Sequence, residues 1–352
     1  MANDIYFSDP PRTPAGGTDR APAPARRAAD SGRNGGAAQS GPAHRRKKKK
    51  KRRPARAFFR LLLLLILCAG ALAGYAYFSV LSAYTPAVRQ KSGSVDESAL
   101  MHSSDVYNIL LMGVDQAETD GSSRSDSMIL LSVDSAHGQL KLTSFMRDMY
   151  VTVPGYGQTK LTHAHMYEGP SLTADTIELN FGVRIDAYAK IGYDFFIDLV
   201  NGVGGVTIDE IDETEARALA EEWVYVEPGK NIHLTGEQAI KYVRIRHWQS
   251  DFARTQRQRK TIGLIVEQAK KLPPTRLLAL AKDLAGKIEC TVPKAELASL
   301  ALKTLPCLRG EILQQQIPAD GTWEDGWRDS LMVLLVDFDA NRQILKDFIY
   351  GG

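Results

Sequence analysis

Cysteine is nearly absent from this chain, with three residues in 352. None sits in a CxxC pair or beside a histidine cluster, which argues against a zinc ribbon or a disulfide framework. Cys68 lies inside an apolar run, and whether Cys290 and Cys307 pair stays open. Neither GxGxxG nor GxxxxGK followed by Ser or Thr occurs, so the common dinucleotide and P-loop signals are missing. Gly202 to Gly205 follows a helical pattern and reads as a turn, and no internal repeat is present. Acidic residues are scarce at the N-terminus: residues 1–56 hold 15 Lys and Arg against four Asp and no Glu. The chain's +3 less this segment's +11 leaves −8 for the remainder, so a basic tail precedes an acidic body.

Large apolar residues are also few in that tail. It cannot bury enough surface to offset chain entropy, and disorder is expected over 1–56. Its last part is nine consecutive basic residues, Arg45 to Arg53. No helix-turn-helix pattern accompanies them, so no nucleic-acid partner is expected; a basic run beside a membrane is explained by anionic lipid. Charge then disappears altogether over the 20 residues Leu61–Val80, enough to cross a hydrocarbon core of roughly 30 Å as a helix. Tyr75, Tyr77 and Tyr84 stand at its far end, as interfacial aromatics do. The run starts too late for a cleaved signal peptide. The expected organisation is a cytoplasmic tail (1–56), a signal anchor (57–84), a polar stalk (85–104) and an extracellular domain (105–352) of the cell membrane.

The outer region alternates strand and helix patterns. Tyr107–Asp115, Ser127–Asp134 and Leu140–Phe145 are apolar enough for buried strands. Residues 136–139 read as a tight connection. Helical spacing marks 171–181, Tyr193–Val200, a short segment from Thr235, Thr255–Lys271 before Pro273-Pro274, most of 275–304, and Asp339–Tyr350. Strands are expected at Ala187–Ile191 and Val206–Ile208, with an apolar element at Leu331–Phe338. Such alternation predicts an α/β domain.

Arginines carry the chemistry. Arg124 lies in Ser123-Arg124-Ser125-Asp126, Arg147 in Phe145-Met146-Arg147-Asp148, and Arg244 and Arg246 in Tyr242-Val243-Arg244-Ile245-Arg246. A planar guanidinium matches phosphate oxygens bidentately, so arginines converging on one cleft would hold a pyrophosphate. Taken singly, each is more often a solvated ion pair. Asp115 and Asp126 offer hard oxygens at strand ends, or else caps and turns.

Those motifs resemble the LytR-CpsA-Psr family. In the family's order come Asn108–Asp115, Arg124 to Met128, Ser144–Asp148, Lys160, Gly204-Gly205-Val206, Leu234 to Ala239, Tyr242–Arg246 and Asp251 to Gln258. The resemblance implies a three-layer α-β-α domain with a central mixed sheet, preceded by one transmembrane helix. It implies an enzyme that transfers a glycopolymer from an undecaprenyl-pyrophosphate lipid to peptidoglycan, forming a phosphodiester with the help of Mg²⁺. Arg124, Arg147, Asp126, Arg244 and Arg246 would be catalytic. Lys160, Arg254, Arg257 and Gln258 would join the arginines on the pyrophosphate, and Asp115 and Asp126 would hold the metal. A regulatory or scaffolding envelope protein and a polyprenyl-pyrophosphate hydrolase are the competing readings. His163 and His165 stand where the family often has Asn and small residues, which leaves their role and the acceptor side open.

Overall fold

A computed structural model describes residues 54–114, 125–246 and 250–351. The chain divides into a unit Met1–Phe59 and a unit Arg60–Gly352, and the second carries the fold. Of the expected tail, 1–56, residues 1–53 lie outside the described residues, and 54–56 begin a helix instead of continuing a disordered segment. Helix α1 (Pro54–Ala83) covers the apolar run. Leu61, Leu62, Ala69, Gly70, Leu72 and Ala73 of that run fall outside the residues whose side chains are described, and among the described residues no helix is long and apolar enough to cross a membrane.

Three strands follow in sequence: β1 (Val106–Val114), β2 (Ser125–Asp134) and β3 (Gln139–Phe145). A hairpin of β4 (Tyr150–Val153) and β5 (Gly157–Lys160) leads into α2 (Leu161–Phe181). Then come β6 (Ala187–Ile191), α3 (Tyr193–Gly202), β7 (Val206–Ile211), α4 (Glu213–Glu221), β8 (Gly229–Leu234) and α5 (Gly236–Tyr242). The long α6 (Asp251–Lys271) precedes α7 (Pro274–Ala285), β9 (Glu289–Cys290) and α8 (Leu297–Cys307). The chain closes with β10 (Ile312–Ile317), β11 (Trp323–Arg328), β12 (Leu331–Val336) and α9 (Phe338–Tyr350).

The main sheet runs β10-β3-β2-β1-β6-β9. It is mixed: β10–β3 and β1–β6 are parallel, and the other pairs antiparallel. Period-2 alternation gives it two apolar faces. Leu110, Met112, Met128, Leu130 and Phe145 pack under α2 and α9 through Ile177, Phe181, Leu345 and Ile349. On the opposite face, Tyr107, Ile109 and Leu111 meet α8 through Leu297 and Leu300, while Leu131 and Val133 meet Val266 of α6. Helices on both faces make the α-β-α layering. A further apolar cluster joins the β7–β8 ribbon to α3, α4, α5 and α6. Cys290 and Cys307 are free and buried, so they do not pair.

Residues 85–104 depart from the expected stalk. Tyr84 is buried, and its hydroxyl donates to the carbonyls of Cys290 (3.0 Å) and Val292 (2.7 Å). Two buried carboxylates of α2 require a cation, and Arg89 supplies it, 2.7 Å from Asp175 and 2.6 Å from Glu178. Met101 bridges to Val183. The segment is therefore held on the domain at several points.

Candidate functional site

Phosphate-seeking groups gather where β2, the β3–β4 connection, the turn after α5 and the start of α6 meet. Asp126, second residue of β2, is the hub. Its Oδ1 accepts from Arg147 at 2.6 Å and its Oδ2 from Arg246 at 2.8 Å. Burial works to raise the Asp126 pKa, but Arg246 and Arg147 outweigh it and hold the carboxyl below the usual range. Arg147 also lies 3.5 Å from Asp148 and 3.4 Å from Asp251. Burial would lower its pKa, yet Asp251 and Asp126 raise it, so it is firmly a cation. Lys160 reaches Asp148 at 2.7 Å, just before the first turn of α2. The backbone fixes this corner: Thr162 N–H donates to the Arg147 carbonyl at 3.0 Å, and Leu161 N–H to that of Met149 at 2.9 Å.

Helix α6 brings the second half. Ser250 caps it by accepting from Ala253 N–H, and Asp251 occupies the favourable first turn. Asp251 lies 2.9 Å from Arg254, whose side chain is only 3% exposed. Burial takes the Arg254 pKa down to about 10, with Asp251 opposing. One turn on, Gln258 accepts from Ser127 Oγ at 2.9 Å. Residues 254 and 258 share a helix face, whereas Arg257 is rotated about 100° from its neighbour. The Arg257 guanidinium donates instead to the Ile245 carbonyl at 2.6 Å and lies 3.4 Å from Glu215. It lines a separate polar cavity of about 490 Å³ with Glu210, Lys260 and Gln314. The structure therefore places Arg257 apart from the other expected phosphate ligands.

Arg244 lies in the turn that follows α5, and Arg246 in the irregular segment after it. The capping box of Thr235 and Gln238 starts α5. Gly236 lets that helix approach α3, because a Cβ there would meet the Ile197 carbonyl oxygen at 2.4 Å. Gly205 turns the chain with φ +85°, and a Cβ there would lie 2.8 Å from the Leu234 carbonyl oxygen. Arg244 stacks over the Tyr193 ring at 4.5 Å. Arg124 and Asp115 lie outside the described residues.

Behind this cluster opens a cavity of about 510 Å³. Its lining combines Asp126, Arg244, Arg246, Arg254 and Gln258, and the paired Lys241 and Glu222, with apolar residues that include Ile129, Phe196, Leu199, Ile240, Ile262 and Ile265. A concave, largely apolar chamber with a few charged groups in its lining suits an amphiphile with an anionic head. The liners come from seven separate elements, so no local motif announces the chamber. Asp148 and Ser127 are further site residues that motif reading did not single out.

Among the described residues, no group of three or more His, Cys, Asp or Glu could hold a metal ion. Asp126 alone of the expected pair is described. Its hard oxygens suit Mg²⁺, which binds through one or two carboxylates together with phosphate oxygens. His163 takes part in a hydrogen bond with Thr159 at 2.7 Å, and His165 is buried.

The LytR_cpsA_psr family model matches residues 76–346. The polyisoprenyl-teichoic acid–peptidoglycan teichoic acid transferase TagT of Bacillus subtilis is 33% identical over 175 residues, 48% of this chain and 54% of its own. A transferase of the same description, TagU of Oceanobacillus iheyensis, is 35% identical over 173 residues, 47% of this chain and 52% of its own. The chain thus spans about half the length of these two relatives. The regulatory protein MsrR of Staphylococcus aureus is 27% identical over 249 residues, covering 69% of this chain and 74% of its own. Among solved structures, TagT bound to LIIa-WTA superposes with TM-score 0.61 at 23% identity, over 74% of this chain and 98% of that one. TagT with bound octaprenyl pyrophosphate lipid gives TM-score 0.58 at 21% identity, over 76% and 99%. At these identities the structures show a shared fold.

Proposed function

Because the chain belongs to the LytR_cpsA_psr family, we propose that it is a membrane-anchored phosphotransferase. It moves a glycopolymer from an undecaprenyl-pyrophosphate carrier to a peptidoglycan hydroxyl and leaves a phosphodiester. The observation that carries this reading is the set of arginines in the lining of a largely apolar chamber. The prenyl chain lies in the chamber, and the two phosphates meet Arg147, Arg246, Arg254 and Gln258, with Arg244 beside them. In the unliganded protein, Asp126, Asp148 and Asp251 balance these cations. The incoming diphosphate replaces part of that balance.

Phosphoryl transfer is largely positioning and charge stabilisation. The acceptor oxygen bonds to the glycan-bearing phosphorus as the bond from that phosphorus to the lipid phosphate oxygen breaks. Polyprenyl phosphate leaves. The guanidinia hold the equatorial oxygens, where charge develops. Asp126 would hold Mg²⁺ together with phosphate oxygens, and the ion would supply further charge neutralisation.

The anchor is Leu61–Val80, with the tail cytoplasmic and the domain outside, from the basic run ahead of an uncharged stretch. Protease added to intact protoplasts should digest the domain; a protected domain would refute this topology. The reaction itself is tested with the purified full chain, a polyprenyl-pyrophosphate donor carrying labelled glycan, and peptidoglycan. Label should pass to the wall fraction in an acceptor-dependent way. Release of the phosphorylated glycan to water at equal rate without acceptor would favour the hydrolase reading.

A further inference from the structure

Two adjacent residues of α6 hold the segment that carries Arg244 and Arg246. That segment, 243–246, leaves α5 with its N–H groups still tied to the helix. Val243 N–H donates to the Ala239 carbonyl at 3.0 Å, Arg244 N–H to that of Lys241 at 3.1 Å, and Ile245 N–H to that of Tyr242 at 3.3 Å. Its carbonyls are taken by α6. Arg257 Nη2 donates to the Ile245 carbonyl at 2.6 Å, and Gln258 Nε2 to the Val243 carbonyl at 3.4 Å. Ile245 stands between Arg244, stacked over Tyr193, and Arg246, which lies 2.8 Å from Asp126. The Arg246 side chain is 46% exposed. A long, wet side chain has many rotamers, so where its guanidinium sits depends on how firmly its backbone is held.

Arg257 is itself fixed. Its side chain is 6% exposed, and its Nη1 lies 3.4 Å from Glu215 Oε1. One guanidinium thus serves a backbone carbonyl and a carboxylate through two nitrogens, a geometry its planar fork allows. Glu215 is set in turn by α4, where its N–H donates to Asp212 Oδ1 at 2.7 Å within the capping box. Burial lowers the Arg257 pKa and Glu215 opposes that; burial raises the Glu215 pKa and Arg257 opposes that. Hydrogen bonds from a charged donor are roughly twice as strong as neutral ones, so the bond to the Ile245 carbonyl is a firm tether.

We propose that Arg257 is a positioning residue: seated by Glu215, it fixes the Ile245 carbonyl and so sets the backbone from which Arg244 and Arg246 meet the pyrophosphate, without touching phosphate itself. This role rests on the phosphotransferase reading. It gives Arg257 a use other than the phosphate contact its place in the motif suggests.

The test uses the full chain in detergent. Binding of polyprenyl pyrophosphate is followed by calorimetry, and transfer by labelled lipid-linked glycan. Arg257→Gln and Glu215→Gln are each made in the wild type and in a background carrying Arg244→Ala and Arg246→Ala. A misplacement of about 1 Å can cost roughly 10²-fold in rate. Arg257→Gln in the wild type should therefore lower transfer by about 10–10²-fold and weaken lipid binding roughly tenfold. Glu215→Gln should act in the same direction and more weakly. In the double-Ala background each change should alter lipid binding by less than about twofold, because the groups it sets are gone. An equal loss in both backgrounds overturns the proposal, since a direct phosphate ligand or a general loosening of the domain acts independently of Arg244 and Arg246. So does an undiminished affinity in wild-type Arg257→Gln. If circular dichroism shows that Arg257→Gln does not fold, Glu215→Gln decides by the same comparison. A wild type that binds the lipid but transfers no glycan defeats the phosphotransferase reading alone, and the binding comparison still decides the role of Arg257. A wild type that does not bind the lipid overturns both.

Discussion

Replacing Arg147 probes the cluster at its most connected point. Its guanidinium lies 2.6 Å from Asp126, 3.5 Å from Asp148 and 3.4 Å from Asp251, with its side chain 22% exposed. Arg147→Lys keeps one charge but presents a point donor where a planar fork served three carboxylates. It can satisfy Asp126 or Asp251, not both. A donor lost from a developing phosphate charge typically costs about 2.7–4 kcal/mol, or 10²–10³ in rate. We expect Arg147→Lys to lower transfer by roughly 10²-fold and Arg147→Ala by about 10³-fold or more. Stability should change less, because the site is partly wet: about 1–2 kcal/mol for Ala, or a few degrees in Tm at ~2–4 °C per kcal/mol. The assay is transfer of labelled lipid-linked glycan by purified variants, with thermal melting followed by circular dichroism. Both variants transferring within threefold of wild type would show that Arg147 is a structural ion pair and not a phosphate ligand.

Other outcomes follow from the same geometry. Asp126→Ala should abolish most transfer and weaken its dependence on Mg²⁺; an unchanged metal titration would refute the metal role. Ala218→Phe, on the chamber wall, should weaken polyprenyl-pyrophosphate binding at least tenfold, whereas binding of free pyrophosphate should hold; equal lipid affinity would place the tail elsewhere. In the main sheet, Lys141 lies 2.9 Å from Asp134 with both side chains 1% exposed. Lys141→Met leaves that carboxylate without its lysine and should cost about 3–5 kcal/mol. Burial works to raise the Asp134 pKa, but hydrogen bonds from Lys141 and His137 hold it low. Its contribution is therefore full above the unfolded value near 3.9 and is lost as pH falls through the lower folded value. Urea titrations from pH 6 to 3 should show that loss in the wild type and a flatter profile in Lys141→Met.

Apolar runs made the main sheet legible. β1 and the centre of β2 are apolar runs, β3 and β6 carry apolar residues between polar ones, and α6 announces itself by its length and the Pro273-Pro274 stop. The β4–β5 hairpin was not legible, because Gly157–Lys160 is polar and mostly exposed and carries no alternation. Helix α4 and strand β8 were hidden the same way, lying in a charged stretch whose apolar residues serve the second apolar cluster and not the main sheet. The helix expected within 275–304 comes as α7 and α8, with the two-residue strand Glu289–Cys290 between them. At the site, single arginines were readable as phosphate seekers, and their order matched a family. What could not be read was partners: Arg254 and Arg257 look alike in sequence, yet Arg254 lines the chamber while Arg257 is held by the Ile245 carbonyl and Glu215. The chamber itself arises from residues more than 150 positions apart, Leu111 to Val266, which no local pattern encodes.

The most direct test is a structure of the full chain with a polyprenyl pyrophosphate bound. Both phosphates should lie within hydrogen-bonding distance of Arg147, Arg246 and Arg254, with the prenyl chain between Phe196 and Ile262. A diphosphate bound at Arg257 and Lys260, or a prenyl chain lying outside the chamber, would contradict this arrangement.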